Sequence, residues 1–106
     1  MTAHERLADR RPSSTFELEV GGLRYTATVS RFPDGRIAEI FLANHKAGSQ
    51  ADSNARDSAI AASLALQHGC ELEVLRRALL RDARGRASTP LGAALDLIAG
   101  EQEAGQ

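Results

Sequence analysis

The sequence predicts an α+β domain: a three-stranded antiparallel meander over about residues 15–43, one face covered by two to three helices at about 53–68, 72–84 and 90–99. Three observations carry this. Up to residue 43 polarity alternates with a period of two, as in half-buried strands. Two turn signatures, Gly21-Gly22 and Pro33-Asp34-Gly35, divide that region into three runs. Beyond residue 50 the apolar spacing changes to the three-and-four pattern of helices, interrupted at Gly69 and Gly85.

The first strand sets Phe16, Leu18 and Val20 against Glu17 and Glu19. The second, residues 23–32, has Leu23, Tyr25, Ala27 and Val29 on one face and Arg24, Thr26, Thr28 and Ser30 on the other. The third, residues 36–43, has Ala38, Ile40 and Leu42 on one face and Ile37, Glu39 and Phe41 on the other. Both of its faces are partly apolar, the pattern of a central or two-sided strand. The simplest strand order is 1-2-3.

In the first helix Asp52 or Ser53 is suited to cap the free N–H groups. Ala55, Ala59, Ala62 and Leu66 form its apolar stripe, with Ile60 and Ser63 beside it. The second helix turns Leu72, Leu75, Ala78 and Leu79 inward and Arg76, Arg77, Arg81 and Arg84 outward, and Gly85 ends it. In the third, Thr89 caps, Pro90 takes the first turn, and Leu91, Ala94, Leu95 and Ile98 face the core. The expected organisation is a flexible arm at 1–14 bearing His4, Arg6, Arg10 and Arg11, a single domain at 15–99, and a frayed tail at 100–106.

Composition narrows the function. Of 106 residues, 42% are hydrophobic and 25% charged, an ordinary globular mix. Thirteen basic residues oppose fourteen acidic ones, so a net charge of −1 provides no broad attraction for nucleic acid or an anionic membrane. No apolar run approaches the roughly 20 residues of a membrane helix. The single cysteine, Cys70, makes neither an internal disulfide nor a cysteine-based metal site. With no apolar stretch in residues 1–14, a soluble cytoplasmic protein is expected. No nucleophile–base pair or metal-ligand spacing is visible, so neither catalytic residue, metal nor cofactor is expected.

Two surfaces are candidates for binding. The loop before the first helix offers Lys46, Gly48 and Ser49, and the first turn adds Arg56; together they suit an anion at a helix N-terminus. On the open sheet face, Ile37, Glu39, Phe41 and Arg24 form a mixed surface suited to a protein partner. Arg76, Arg77, Arg81, Arg84 and Arg86 make a basic stripe, diluted by Glu71, Glu73 and Asp82, that reads as a solvated helix face.

The order of motifs resembles a known family. Phe32-Pro33-Asp34-Gly35-Arg36, then Glu39-Ile40-Phe41, Lys46-Ala47-Gly48-Ser49, Asp57-Ser58-Ala59-Ile60-Ala61, Ser63-Leu64, Leu66-Gln67 and Gly69 are similar to the TSCPD domain. That domain is found near the C-terminus of adenosylcobalamin-dependent (class II) ribonucleotide reductases. Ala87-Ser88-Thr89-Pro90-Leu91 resembles the family's terminal helix start, although Thr89-Pro90-Leu91 stands where the signature has Cys-Pro-Asp. The similarity covers about Phe16 to Ile98. It implies a stand-alone, non-catalytic accessory domain that binds a protein partner, such as a reductase, and is linked to deoxynucleotide supply. The reductase barrel and its redox cysteines are absent, so a reductase label on this chain would reflect homology and not activity. Two alternatives stand beside this reading: a nucleic-acid module like the double-stranded-RNA binding domain, disfavoured by charge, and a small-anion or nucleotide sensor. The thin core adds homodimerisation through an apolar face as an expectation.

Overall fold

The computed structural model describes residues 13–104, with side chains described through Glu101. The expected N-terminal arm lies outside the described residues apart from Ser13 and Ser14, which open the first strand. The chain runs β1 (Ser13–Val20), β2 (Leu23–Arg31), β3 (Ile37–Asn44), α1 (Gln50–Gln67), α2 (Leu72–Ala78) and α3 (Pro90–Ala104).

The strands form one antiparallel sheet in the order β1-β2-β3, as expected. Phe16, Ala27 and Leu42 stand side by side across it, as do Leu18, Tyr25 and Asn44. Gly21 and Gly22 close the first hairpin with φ of 60° and 78°, the paired left-handed geometry that matches strand twist and that β-carbons disfavour. The Pro33–Gly35 turn closes through the Gly35 N–H on the Phe32 carbonyl, and the Asp34 carboxylate accepts from the Arg36 amide.

One face of the sheet is covered by α1 and α3. Ala27, Val29, Ile40 and Leu42 pack against Ala55, Ala59, Ala62 and Leu66 of α1 and Leu91, Ala94, Leu95 and Ile98 of α3. The alanines of α1 let helix and sheet approach closely. Leu42, Leu95 and Ile98 are the largest fully buried side chains.

Four expectations change. α1 begins at Gln50, and its cap is Ser49, whose Oγ accepts from the Asp52 amide. Asp52 thereby becomes available for another role, described below. The second helix stops at Ala78, six residues short of its expected end, and none of its residues is fully buried. Residues 81–87 form a tight turn instead: the Asp82 N–H donates to the Arg86 carbonyl, and the Asp82 carboxylate accepts from the Arg84 and Arg86 amides. An aspartate that satisfies the backbone two and four residues on competes with helix, which explains the early stop. Ala78 is exposed as a result. The third helix continues through Gly100 to Ala104, into the segment expected to fray.

α1 ends as its sequence promised. Gly69 takes φ of 99°, the Cys70 N–H donates to the Ala65 carbonyl, and the Gly69 N–H donates to the Leu66 carbonyl. A β-carbon at Gly69 would meet nothing within 4 Å, so only its backbone conformation resists substitution. Gly69→Ala is expected to cost about 1 kcal/mol in urea unfolding, with no change in slope.

Candidate functional site: the α1–β3 seam and the cleft at its end

β3 is an edge strand, and its outer backbone groups need partners. α1 runs antiparallel along that edge and supplies them from side chains. The Asn44 N–H donates to Asp52 Oδ1 at 2.9 Å. Ser63 Oγ both accepts from the Ile40 N–H at 2.9 Å and donates to the Ile40 carbonyl at 3.0 Å. Gln67 Nε2 donates to the Ala38 carbonyl at 2.6 Å. The spacing fits: 15 helical residues span about 22 Å, and six strand residues about 20 Å. Positions 52, 63 and 67 share a helix face because 11 residues complete three turns. The strand expected to be central or two-sided is instead the edge strand of the sheet, its outer backbone groups met by side chains of α1.

Of the anion-binding candidates, Gly48 and Arg56 bond a carboxylate of the chain itself, that of Asp52. Asp52 is 3% exposed. Its Oδ2 accepts from the Gly48 N–H at 3.1 Å and from Arg56 Nε at 2.9 Å. Ser49 is spent as cap and as donor to the Lys46 carbonyl, and the Lys46 amide donates to Asn44 Oδ1. The Gly48 amide, the Asn44 amide and the Arg56 guanidinium, in that order, hold the Asp52 carboxyl below its ordinary value.

The partner-face candidates separate. Phe41 is 46% exposed and meets Ile60 and Leu64 of α1 in a shallow apolar groove that includes Glu39. The Arg56 guanidinium lies 5.1 Å over the Phe41 ring. Ile37 is not on this surface. The register runs Ser30–Glu39 and then Arg31–Ile37, a bulge that leaves Ala38 as the extra residue. Alternation breaks there, and Ile37 turns into the core. Arg24 lies on β2 within 3.7 Å of Glu17 and outside the groove.

Two members of the basic stripe, Arg76 and Arg81, tie onto α3. Arg81 grips Asp96 of α3 with two bonds of 2.7 and 2.9 Å, and Arg76 reaches the same carboxylate at 2.9 Å while holding Glu73. Arg81 and then Arg76 lower the Asp96 carboxyl against the opposing effect of burial. Arg77 also bonds Glu73.

Beyond the first turns of α1 a second cleft opens, with a volume of about 500 Å³. Its walls include Ala51, Ala55 and Ser58 of α1, Leu79, and Ser88, Thr89, Pro90 and Leu91 at the start of α3. Thr89 caps that helix as expected, its Oγ1 accepting from the Gly92 amide. Tyr25 contributes from β2. Half-buried Cys70 lies in a separate cleft of about 270 Å³ with Ile37 and Leu66. Among the described residues no group of His, Cys, Asp and Glu side chains is placed to hold a metal ion, and no helix is long and apolar enough to cross a membrane.

Ser63 and Gln67 escaped functional notice in the sequence. The available signal was three polar residues, Asp52, Ser63 and Gln67, on a face otherwise made of alanine and leucine.

No family model matches the chain, and no solved structure does. Curated proteins do. Residues of this chain are 38% identical over 73 positions to the vitamin B12-dependent ribonucleotide reductase of Bradyrhizobium diazoefficiens, 69% of the chain against 6% of that protein. The protein of the same name from Agrobacterium fabrum is 42% identical over 69 residues, and that from Rhodopirellula baltica 37% over 71. These matches cover 65% and 67% of the chain, and 5% and 7% of the reductases. The chain is thus a homologue of one short segment of the vitamin B12-dependent ribonucleotide reductases, in keeping with the TSCPD-like motifs it carries.

Proposed function

We propose that this chain is a non-catalytic docking module of ribonucleotide-reductase descent that binds a protein partner, a vitamin B12-dependent ribonucleotide reductase, in the cytoplasm and so bears on deoxynucleotide supply. The observation that carries the reading is the homology itself: about two thirds of the chain matches a segment that is only 5–7% of each reductase. The groove of Phe41, Ile60 and Leu64 supplies the contact surface. Three large apolar side chains, each about half exposed, adjoin one another there and are rimmed by Glu39 and Arg56.

The test is co-elution and calorimetry of the purified chain with a vitamin B12-dependent reductase from the same cells. A saturable complex is expected, weakened at least tenfold by Ile60→Asp, with folding unchanged by circular dichroism. Ile60 is 58% exposed and outside the core, so the substitution separates binding from stability. No complex at concentrations of about 100 µM would remove this reading.

A further inference from the structure

The cleft between the first turns of α1 and the start of α3 has the chemistry of a small-molecule site. The small side chains Ala51, Ala55 and Ser58 recur along one helix face and leave its volume of about 500 Å³ unfilled. Among the described residues its lining contains no charged side chain. A charged ligand group would lose hydration there without a counter-charge. The lining does contain hydrogen-bonding groups: Tyr25, Asn54, Ser58 and Ser88.

Tyr25 is the decisive member. It is 5% exposed, and among the described residues its phenol makes no hydrogen bond. Buried tyrosine hydroxyls usually find a partner, because a buried unpaired hydroxyl is costly. Its neighbours have already made their bonds elsewhere: Ser58 Oγ donates to the Ala55 carbonyl, and Asn54 Oδ1 accepts from Gln50 Nε2. Among the described residues the Asn54 amide N–H groups donate to no partner, which leaves them available to a ligand. Apolar walls with phenol and amide donors call for an uncharged ring that carries acceptor atoms.

We infer that this cleft binds an uncharged heteroaromatic small molecule of nucleoside size, held by the Tyr25 phenol and the Asn54 amide. The site is separate from the Phe41 groove and does not depend on the docking reading.

The experiment is an amide-resolved NMR titration of the full chain with adenosine and uridine, and with their monophosphates as charged counterparts. At millimolar concentration at least one nucleoside is expected to shift the Ala51, Asn54, Ser58 and Ser88 amides together. Tyr25→Phe is expected to weaken that binding about fivefold, the value of one hydrogen bond, without lowering the melting temperature of the free protein, since its hydroxyl has no partner among the described residues to lose. The monophosphates are expected to bind no tighter than the nucleosides. No shift at 10 mM from either nucleoside, shifts confined to other surfaces, or binding unaffected by Tyr25→Phe would overturn the assignment. So would phosphate-enhanced binding at the same amides.

Discussion

Replacing Ser63 by alanine is expected to cost about 2–4 kcal/mol of folding stability, read as a lower urea midpoint at an unchanged slope. One hydroxyl at 7% exposure serves both the N–H and the carbonyl of Ile40. Alanine removes the hydroxyl and leaves two buried backbone groups without partners, each worth roughly 1–3 kcal/mol. The apolar area lost with a hydroxyl is too small to matter, so the effect isolates the seam between helix and strand. Ser63→Thr retains the hydroxyl and is expected to recover most of the loss. A cost below about 0.5 kcal/mol for alanine would mean that water reaches the Ile40 backbone and that α1 does not seal the strand. The same opening is expected to make the alanine variant associate at high concentration, because an uncovered edge strand recruits another.

Asp52→Ala is expected to lower the melting temperature by about 10–20 °C. This carboxylate ties together the end of β3, the loop at Gly48 and Arg56 on the next turn of its own helix. Removing it leaves two amides and a guanidinium without their acceptor. Asp52→Asn keeps the oxygen facing Asn44 but turns an N–H₂ toward two donors, and an intermediate loss is expected. The pH dependence follows from the same geometry. The folded carboxyl titrates below its ordinary value of 3.8. Its stabilisation is therefore complete above that value and is withdrawn as pH falls through the lower, folded one. The wild-type melting temperature is expected to drop more steeply than that of Asp52→Asn between about pH 5 and pH 2.5. Asp96, lowered by Arg81 and Arg76, contributes in the same window and remains in both proteins as an internal reference. Parallel curves would show that the Asp52 contacts do not favour the ionised form.

These two residues show what pattern reading captures and what it passes over. Asp52 was legible as a helix-start residue, because aspartate near the first turn nearly always serves the helix's own N–H groups. In the fold Ser49 takes that duty, three residues earlier, and Asp52 faces sideways to the strand. Lys46, Gly48, Ser49 and Arg56 were legible as an anion-binding set, and they do gather in one place. Gly48 and Arg56 bond an internal anion, the Asp52 carboxylate, a possibility that composition alone does not distinguish from an external ligand. Phe41 and Glu39 were legible as surface residues of β3. Ile37 followed the same alternation and is buried, because one bulge residue at Ala38 shifts the phase of the strand end.

What the sequence determined by itself is everything governed by neighbours along the chain. Alternation set the three strands, glycine pairs and Pro-Asp-Gly set their turns, and Thr89-Pro90 and Gly69 set helix ends, because each depends on local φ, ψ and capping geometry. Motif order set the descent. The tertiary structure alone decided which polar side chains meet which backbone groups across the α1–β3 seam, that Arg76 and Arg81 close onto Asp96, and that the start of α3 faces Tyr25 across an open cleft. Those pairings join positions 8 to 66 residues apart, and their existence depends on how far α1 slides along β3 and on how α3 settles beside it. Such offsets are set by packing the whole core at once, and no short window of sequence contains them.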